Sequence, residues 1–177
     1  MADESIVVHD TKNELYETTS EMFKEKGYNV IRLNFDDSID SNNWNPLELP
    51  YRLYKEGNKD KAQDMLEELA FYLLNDLEEV NADPFWINSA INYFTGLTLY
   101  AFENEKEVSL TTIRDLDIQV KESGKDFKDK LDKKSSAYIN LSGVLNAPNE
   151  TKGSILSVFS QKIKRFISKE NLNKLLS

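Results

Sequence analysis

Residues 83–102 read DPFWINSAINYFTGLTLYAF, and no other stretch of the chain is so dense in apolar side chains. Asp83 is a good N-cap. Pro84 follows at the first helical position, where the missing N–H has no intrahelical partner to lose. Trp86, Ala90, Tyr93, Leu97 and Tyr100 then recur at three- and four-residue steps, which is the helical period. Ile91, Phe94 and Phe102 widen that stripe until most of the circumference is apolar. A helix apolar nearly all round belongs inside a bundle, with other helices on several sides. The spacing therefore predicts the central helix of a mainly α protein, a helical bundle.

Around that helix, 177 residues fit one domain with a small appendage, and 40% hydrophobic residues with 11% aromatics suffice for a real core. There is no cysteine. That excludes disulfides, thiolate metal sites and cysteine nucleophiles, and it fits a reducing cytoplasm. The opening MADESIVVHD lacks a basic region followed by an apolar run, so no signal peptide is expected. Asn88, Asn92 and Thr95 interrupt the longest apolar stretch, so the expectation is a soluble piece without membrane contact.

The net charge of −9 is unevenly spread. Residues 1–118 hold 10 Lys+Arg against 25 Asp+Glu, a balance of −15, whereas residues 119–177 hold 12 against 6, a balance of +6. The acidic body disfavours adhesion to phosphate backbones, and the basic C-terminal third can face a polyanion or an acidic partner. Solvated helix faces are the plainer explanation of both.

In chain order, residues 5–10 (SIVVHD) suit a buried strand. Residues 14–26 suit an amphipathic helix ended by Gly27, and residues 28–35 (YNVIRLNF) alternate like a second strand. Together they predict a right-handed β-α-β lead over 1–36. Two strands alone make a poor sheet, so this lead is expected to be the edge of something larger. Residues 37–50 read as an irregular connection pinned by Trp44 and Leu47. An all-α domain is expected over 51–168, with helices over 58–80, the central stretch, a shorter helix capped by Ser109, a helix over 125–145 after a break at Gly124, and a last one opened by Pro148. Residues 169–177 form a short tail.

No chemistry stands out. The six glycines are isolated, so no phosphate cradle of the Gly-x-x-x-x-Gly-Lys-Ser/Thr kind exists in this chain. His9 is the sole histidine, which removes histidine-pair metal sites. A base at His9 beside Asp10 is conceivable but less favoured than a structural histidine at a strand end. Glu67, Glu68, Glu78 and Glu79 fall on polar helix faces and not in a pocket that would separate their pKa values. Trp44, Phe85, Trp86, Tyr93 and Phe94 have the aromatic content of a base-stacking platform, although their helical spacing favours a core. Two basic clusters are candidates for DNA or a partner: Lys162, Lys164 and Arg165 first, then Lys128, Lys130, Lys133 and Lys134, which are laced with Asp126, Asp129 and Asp132.

Four blocks of residues carry a resemblance. HDTKNELYETTSEMFKEKGYNVIRLNF followed by SNNWNPLE resembles the segment after the nucleotide-binding helix in TraG-type coupling ATPases of type IV secretion, where the pattern is close to T-D-P-K-G-E-L, a helix, G-Y-x-V, a strand and N-P-L. DPFWINSA is similar to the start of a helix in that family's all-alpha domain. APNETKGSILSVFSQKI resembles the return to the motor, usually E-K-T-x-G-S-I. Thr11 stands where the family has proline and Asn13 where it has glycine; Asn tolerates positive φ better than most residues, so the turn can survive.

The resemblance implies one edge of a RecA-like motor sheet plus the all-alpha insertion, with the phosphate-binding loop, the metal-binding acidic strand and the membrane anchor elsewhere in the parent protein. It further implies a hexameric, membrane-anchored parent at the cytoplasmic face, driven by ATP and Mg, that feeds relaxase-bound single-stranded DNA to the secretion channel. This part of it is expected to be non-enzymatic, to need no cofactor, and to dock relaxase, other relaxosome proteins or single-stranded DNA. An architectural insertion that sets ring geometry is the alternative, and an enzyme around His9 and Asp10 is a more distant one.

Overall fold

Asp83 Oδ1 accepts a hydrogen bond from Phe85 N at 2.9 Å and Pro84 occupies the first turn, so the central helix starts where capping chemistry places it. A computed structural model describes residues 4–35, 40–75 and 83–177. Within them the chain forms α1 (Glu14–Glu25), α2 (Glu48–Lys55), α3 (Lys59–Leu74), α4 (Pro84–Asn104), α5 (Leu110–Asp129), α6 (Ser136–Leu145), α7 (Asn149–Ile167) and α8 (Glu170–Leu175). Leu77 and Val80, expected at the end of α3, lie outside the described residues.

The chain divides into two compact units, Met1–Asn43 and Trp44–Ser177. In the second, α4 packs against α2, α3, α5, α6 and α7. Every residue from Tyr93 to Leu99 is buried, nearly two full turns with no solvent face. Tyr93 and Phe94 meet Phe159 of α7, Phe102 meets Tyr51 and Tyr54 of α2, and Tyr100 meets Phe127 of α5. The packing is tightest against α6: a Cβ on Gly96 would stand 2.6 Å from Leu141 Cγ and 3.1 Å from the Ala137 carbonyl oxygen. Thr98 Oγ1 donates to the Phe94 carbonyl. Thr95 Oγ1, equally buried, has no hydrogen-bond partner among the described residues, and we have no physical account of it.

Several boundaries differ from the sequence expectation. The region expected as a connection already turns helical at Glu48, and Leu47 is buried while Trp44 stays half-exposed. Gly57, at φ +93°, then separates α2 from α3. The break expected at Gly124 falls one residue earlier: Ser123 is non-helical (φ −141°, ψ 46°), so α5 is two helical segments meeting at a kink, as neighbouring Ser and Gly permit. The helix expected over 125–145 is itself divided, because Ser135 Oγ accepts from Tyr138 N and caps α6 as a new start. The final tail is α8, whose Leu175 and neighbouring Leu176 are buried.

The β-α-β lead is the principal correction. Among the described residues there is no strand. Residues 28–35 turn their backbone groups to a polar segment of their own unit: Arg32 N donates to Asn42 Oδ1 at 2.9 Å, Asn34 N to Ser41 Oγ at 2.9 Å, and Asn42 N to the Arg32 carbonyl at 2.8 Å. A two-stranded parallel pair satisfies few backbone groups and buries little, so it has nothing to hold it. The RecA-like sheet is accordingly not seen.

The helix between those segments is as expected. Gly27 N bonds the Lys24 carbonyl and Tyr28 N the Phe23 carbonyl, Gly27 takes φ +87°, and the Phe23 and Tyr28 rings touch at 5.3 Å. This is the Schellman arrangement with its apolar contact. Asn13 adopts φ 63°, so the asparagine does supply the positive φ that its glycine-like position needs.

Gly96→Val should destabilise the protein by about 2–3 kcal/mol, since Leu141 and the Ala137 carbonyl have no room to retreat. The check is the urea midpoint, which should fall with the slope unchanged.

Candidate functional site

Among the described residues of the helical unit, one buried polar seam joins three helices. Asp117 on α5 is buried, and its Oδ1 accepts from Tyr93 Oη of α4 at 3.1 Å. Lys121 Nζ donates to Asp117 Oδ2 at 2.6 Å and also reaches Ser160 Oγ of α7. The Ser160 hydroxyl lies 3.1 Å from Asp117 Oδ2 and 2.7 Å from the Leu156 carbonyl, with one proton to share between them. Three helices are thus pinned by a carboxylate whose buried charge is paired and hydrogen-bonded, as burial demands. Burial, with the Asp117 carboxylate beside it, pushes the Tyr93 phenol well above its usual range. Burial and the hydrogen bond from its hydroxyl to Glu103 do the same to Tyr54. The seam holds its protons between side chains of α4, α5 and α7.

The two basic clusters lie apart. Asp117 and Lys121 face Ser160, a Cβ on Gly124 would stand 2.9 Å from Lys152 Nζ, and Lys128 bonds Asn146. As α5 advances its partners retreat, so α5 and α7 run antiparallel. Lys128, Lys130, Lys133 and Lys134 therefore gather at one end of the pair, and Lys164 and Arg165 sit near the other. Twelve residues of α7, about 18 Å at the helical rise, separate Lys152 from Lys164. Lys130, Lys133, Lys134, Lys164 and Arg165 are exposed, and Lys128 is half-buried. Lys162 is 6% exposed. It falls three residues after Phe159 on the stripe of Ile155, Phe159 and Ile163, which is the inward face of α7, so it drops out of the surface cluster.

His9 is exposed, and Asp10 accepts from Tyr16 N at 2.9 Å, serving one of the unpaired amides at the start of α1. Among the described residues no group of three or more His, Asp or Glu side chains is placed to hold a metal ion. The aromatics considered as a stacking platform divide: Tyr93 and Phe94 are core, while Phe85 is 50% exposed. Two aromatics that the reading of the sequence passed over, Phe71 and Tyr72 on α3, are 44% and 71% exposed. Their signal was present, since they continue the acidic face of α3 and not its apolar one.

The family model for conjugative DNA transfer by the type IV secretory system matches residues 1–177, the whole chain. The chain belongs to that family. This is the coupling-protein family that the four sequence blocks resemble, and its helical content here fits an all-alpha domain. No curated protein and no solved structure matches the chain. Among the described residues of this coupling-protein chain, no helix is long and apolar enough to cross a membrane.

The raised phenols set a pH dependence. In the unfolded chain a tyrosine ionises at about 10, whereas folding keeps Tyr93 and Tyr54 protonated beyond that. Their stabilising contribution is whole below pH 10 and is lost as pH rises further. Tyr93→Phe should cost about 1 kcal/mol at pH 7 and should flatten the decline above pH 10, as read from urea midpoints taken across that range.

Proposed function

We propose that this chain is the cargo-recognition part of a conjugative coupling ATPase, docking relaxase, another relaxosome protein or the transferred strand, with no catalysis of its own. The observation that carries this reading is where the helical unit begins and ends. Trp44 N donates to the Leu175 carbonyl at 2.6 Å, and Thr111 Oγ1 bonds Asn173 Oδ1 nearby. A helical body that brings its first residue, Trp44, against α8 can be inserted in another domain without disturbing it. The first unit supports the same reading. Val7 is 99% exposed, and Ile6, Val8, Ile31, Leu33 and Phe35 are more than two-fifths exposed. So many β-favouring apolar side chains call for cover, and in this proposal a larger RecA-like sheet of the parent supplies it.

ATP and Mg would then be held by the parent, a hexameric motor anchored at the cytoplasmic face of the membrane, and not by these residues. Any DNA contact falls to Lys164 and Arg165, or to Lys130, Lys133 and Lys134, and weakens steeply with salt because phosphate contacts release counterions. The architectural alternative shares the joined ends but predicts a spacer that binds nothing.

The purified chain should show no ATP hydrolysis above that of a Lys12→Ala control, and it should capture its cognate relaxase or an accessory protein in a pull-down. Hydrolysis lost in that control would refute the assignment. Capture of nothing, together with hexamers in native mass spectrometry, would favour the spacer. If single-stranded DNA binds, Lys164→Glu with Arg165→Glu should lower the salt slope by roughly two.

A further inference from the structure

Resting on the cargo-docking reading, we propose that the outer face of α3, together with the adjoining start of α4, is the docking surface, and that it takes a cationic protein segment carrying an apolar anchor. Tyr54 of α2 touches Lys59 at the start of α3, Phe102 near the end of α4 and, through its hydroxyl, Glu103. The two helices are therefore antiparallel, and the end of α3 lies beside the start of α4. An aromatic pair stands at each of those helix ends. Phe71 and Tyr72 stack edge to face at 5.7 Å, and Phe85 and Trp86 at 5.0 Å. Tyr72, Phe85 and Phe71 present their rings to solvent. Aromatic rings of limited rotamer freedom, clustered and exposed, are the usual anchors of protein interfaces.

The charge beside them selects the occupant. Asp64, Glu68 and Tyr72 follow at four-residue steps, and Glu67 and Phe71 run alongside, all exposed on one face. No ion pair among the described residues involves Asp64, Glu67 or Glu68. Asp64 and Glu68 repel at i,i+4, and α3 has no basic residue in its last turn to complement the helix dipole. Glu67 accepts from Gln63 Nε2 at 2.9 Å, and Lys61 is the one cation spaced onto this face, so the face keeps an excess of negative charge that an incoming Lys or Arg relieves. Phosphate is repelled by the same carboxylates, which sets nucleic acid aside for this surface. The occupant is a segment with Lys or Arg at helical spacing and one or two aliphatic or aromatic side chains for the rings.

The probe is a dye-labelled amphipathic peptide of lysine and leucine, compared by anisotropy with a lysine–serine peptide of equal charge and with oligo-dT. The full chain should bind the lysine–leucine peptide best. Phe71→Ser with Tyr72→Ser should weaken it about tenfold or more, and Glu67→Gln with Glu68→Gln should weaken it and lower its salt dependence. Glu122→Gln with Glu150→Gln, exposed acids of α5 and α7, should change nothing. The altered side chains are exposed, so urea midpoints should stay near the parent value.

Equal binding of the lysine–serine peptide, indifference to the aromatic pair, competition by oligo-dT, or self-association abolished by the serine variant would each overturn the proposal. Relaxase capture separates the two readings. If the serine variant captures relaxase as well as the parent chain does, the surface is wrong and the docking role stands. Peptide binding as described with no relaxosome protein captured would leave the surface and remove the role.

Discussion

The close approach of α4 to α6 at Gly96 is the contact from which the helical unit is built. With hydrogen in place of a side chain, the α4 backbone sits directly against Leu141 and the Ala137 carbonyl. At that distance the turns on either side have no solvent face left, so Tyr93 and Phe94 on one side and Leu97 and Leu99 on the other must all find protein neighbours. Five helices supply them. A central rod of this kind is why single changes in its middle are felt by most of the unit, while changes on the outer faces of α3 or α5 are not.

Burying a rod all round leaves few places for polar groups, and the seam of Tyr93, Asp117, Lys121 and Ser160 links several of them across helices. It joins α4, α5 and α7. Nonpolar packing tolerates sliding by a fraction of a turn, whereas a carboxylate with three partners at hydrogen-bond distance does not. The seam thus fixes which faces of α5 and α7 point outward, and with them the placement of both basic clusters. Chemistry at the surface is set by a buried acid that touches none of it.

The first unit differs in kind. Its helix is well capped at Gly27, yet Ser20 is the one residue that α1 buries, and its apolar side chains face solvent. Local rules are obeyed and the tertiary requirement is unmet. Two segments suited to strands cannot make a sheet by themselves, because a pair leaves its edges open and buries little.

From the residues alone one can obtain the central helix with its Asp83 cap and Pro84 start, the stop at Gly27, the positive φ at Asn13, and the family itself. All of these are local in sequence, governed by capping, backbone sterics or short motifs. The break beside Gly124 was legible too, as the non-helical Ser123, whereas the single helix expected over 125–145 is split by the cap at Ser135. The strands failed because alternation shows what a segment is suited to and only partners make it a strand. Lys162 was read by charge and placed by periodicity. Phe71 and Tyr72 were passed over, although their neighbours Asp64, Glu67 and Glu68 mark the same face as solvated. The sequence by itself determined the capped start of the central helix, the stop at Gly27 and which stretches turn apolar, because those properties depend on residues within one or two turns. Which apolar and basic side chains remain at the surface was decided only by the tertiary structure, because burial is a property of neighbours that lie far away along the chain.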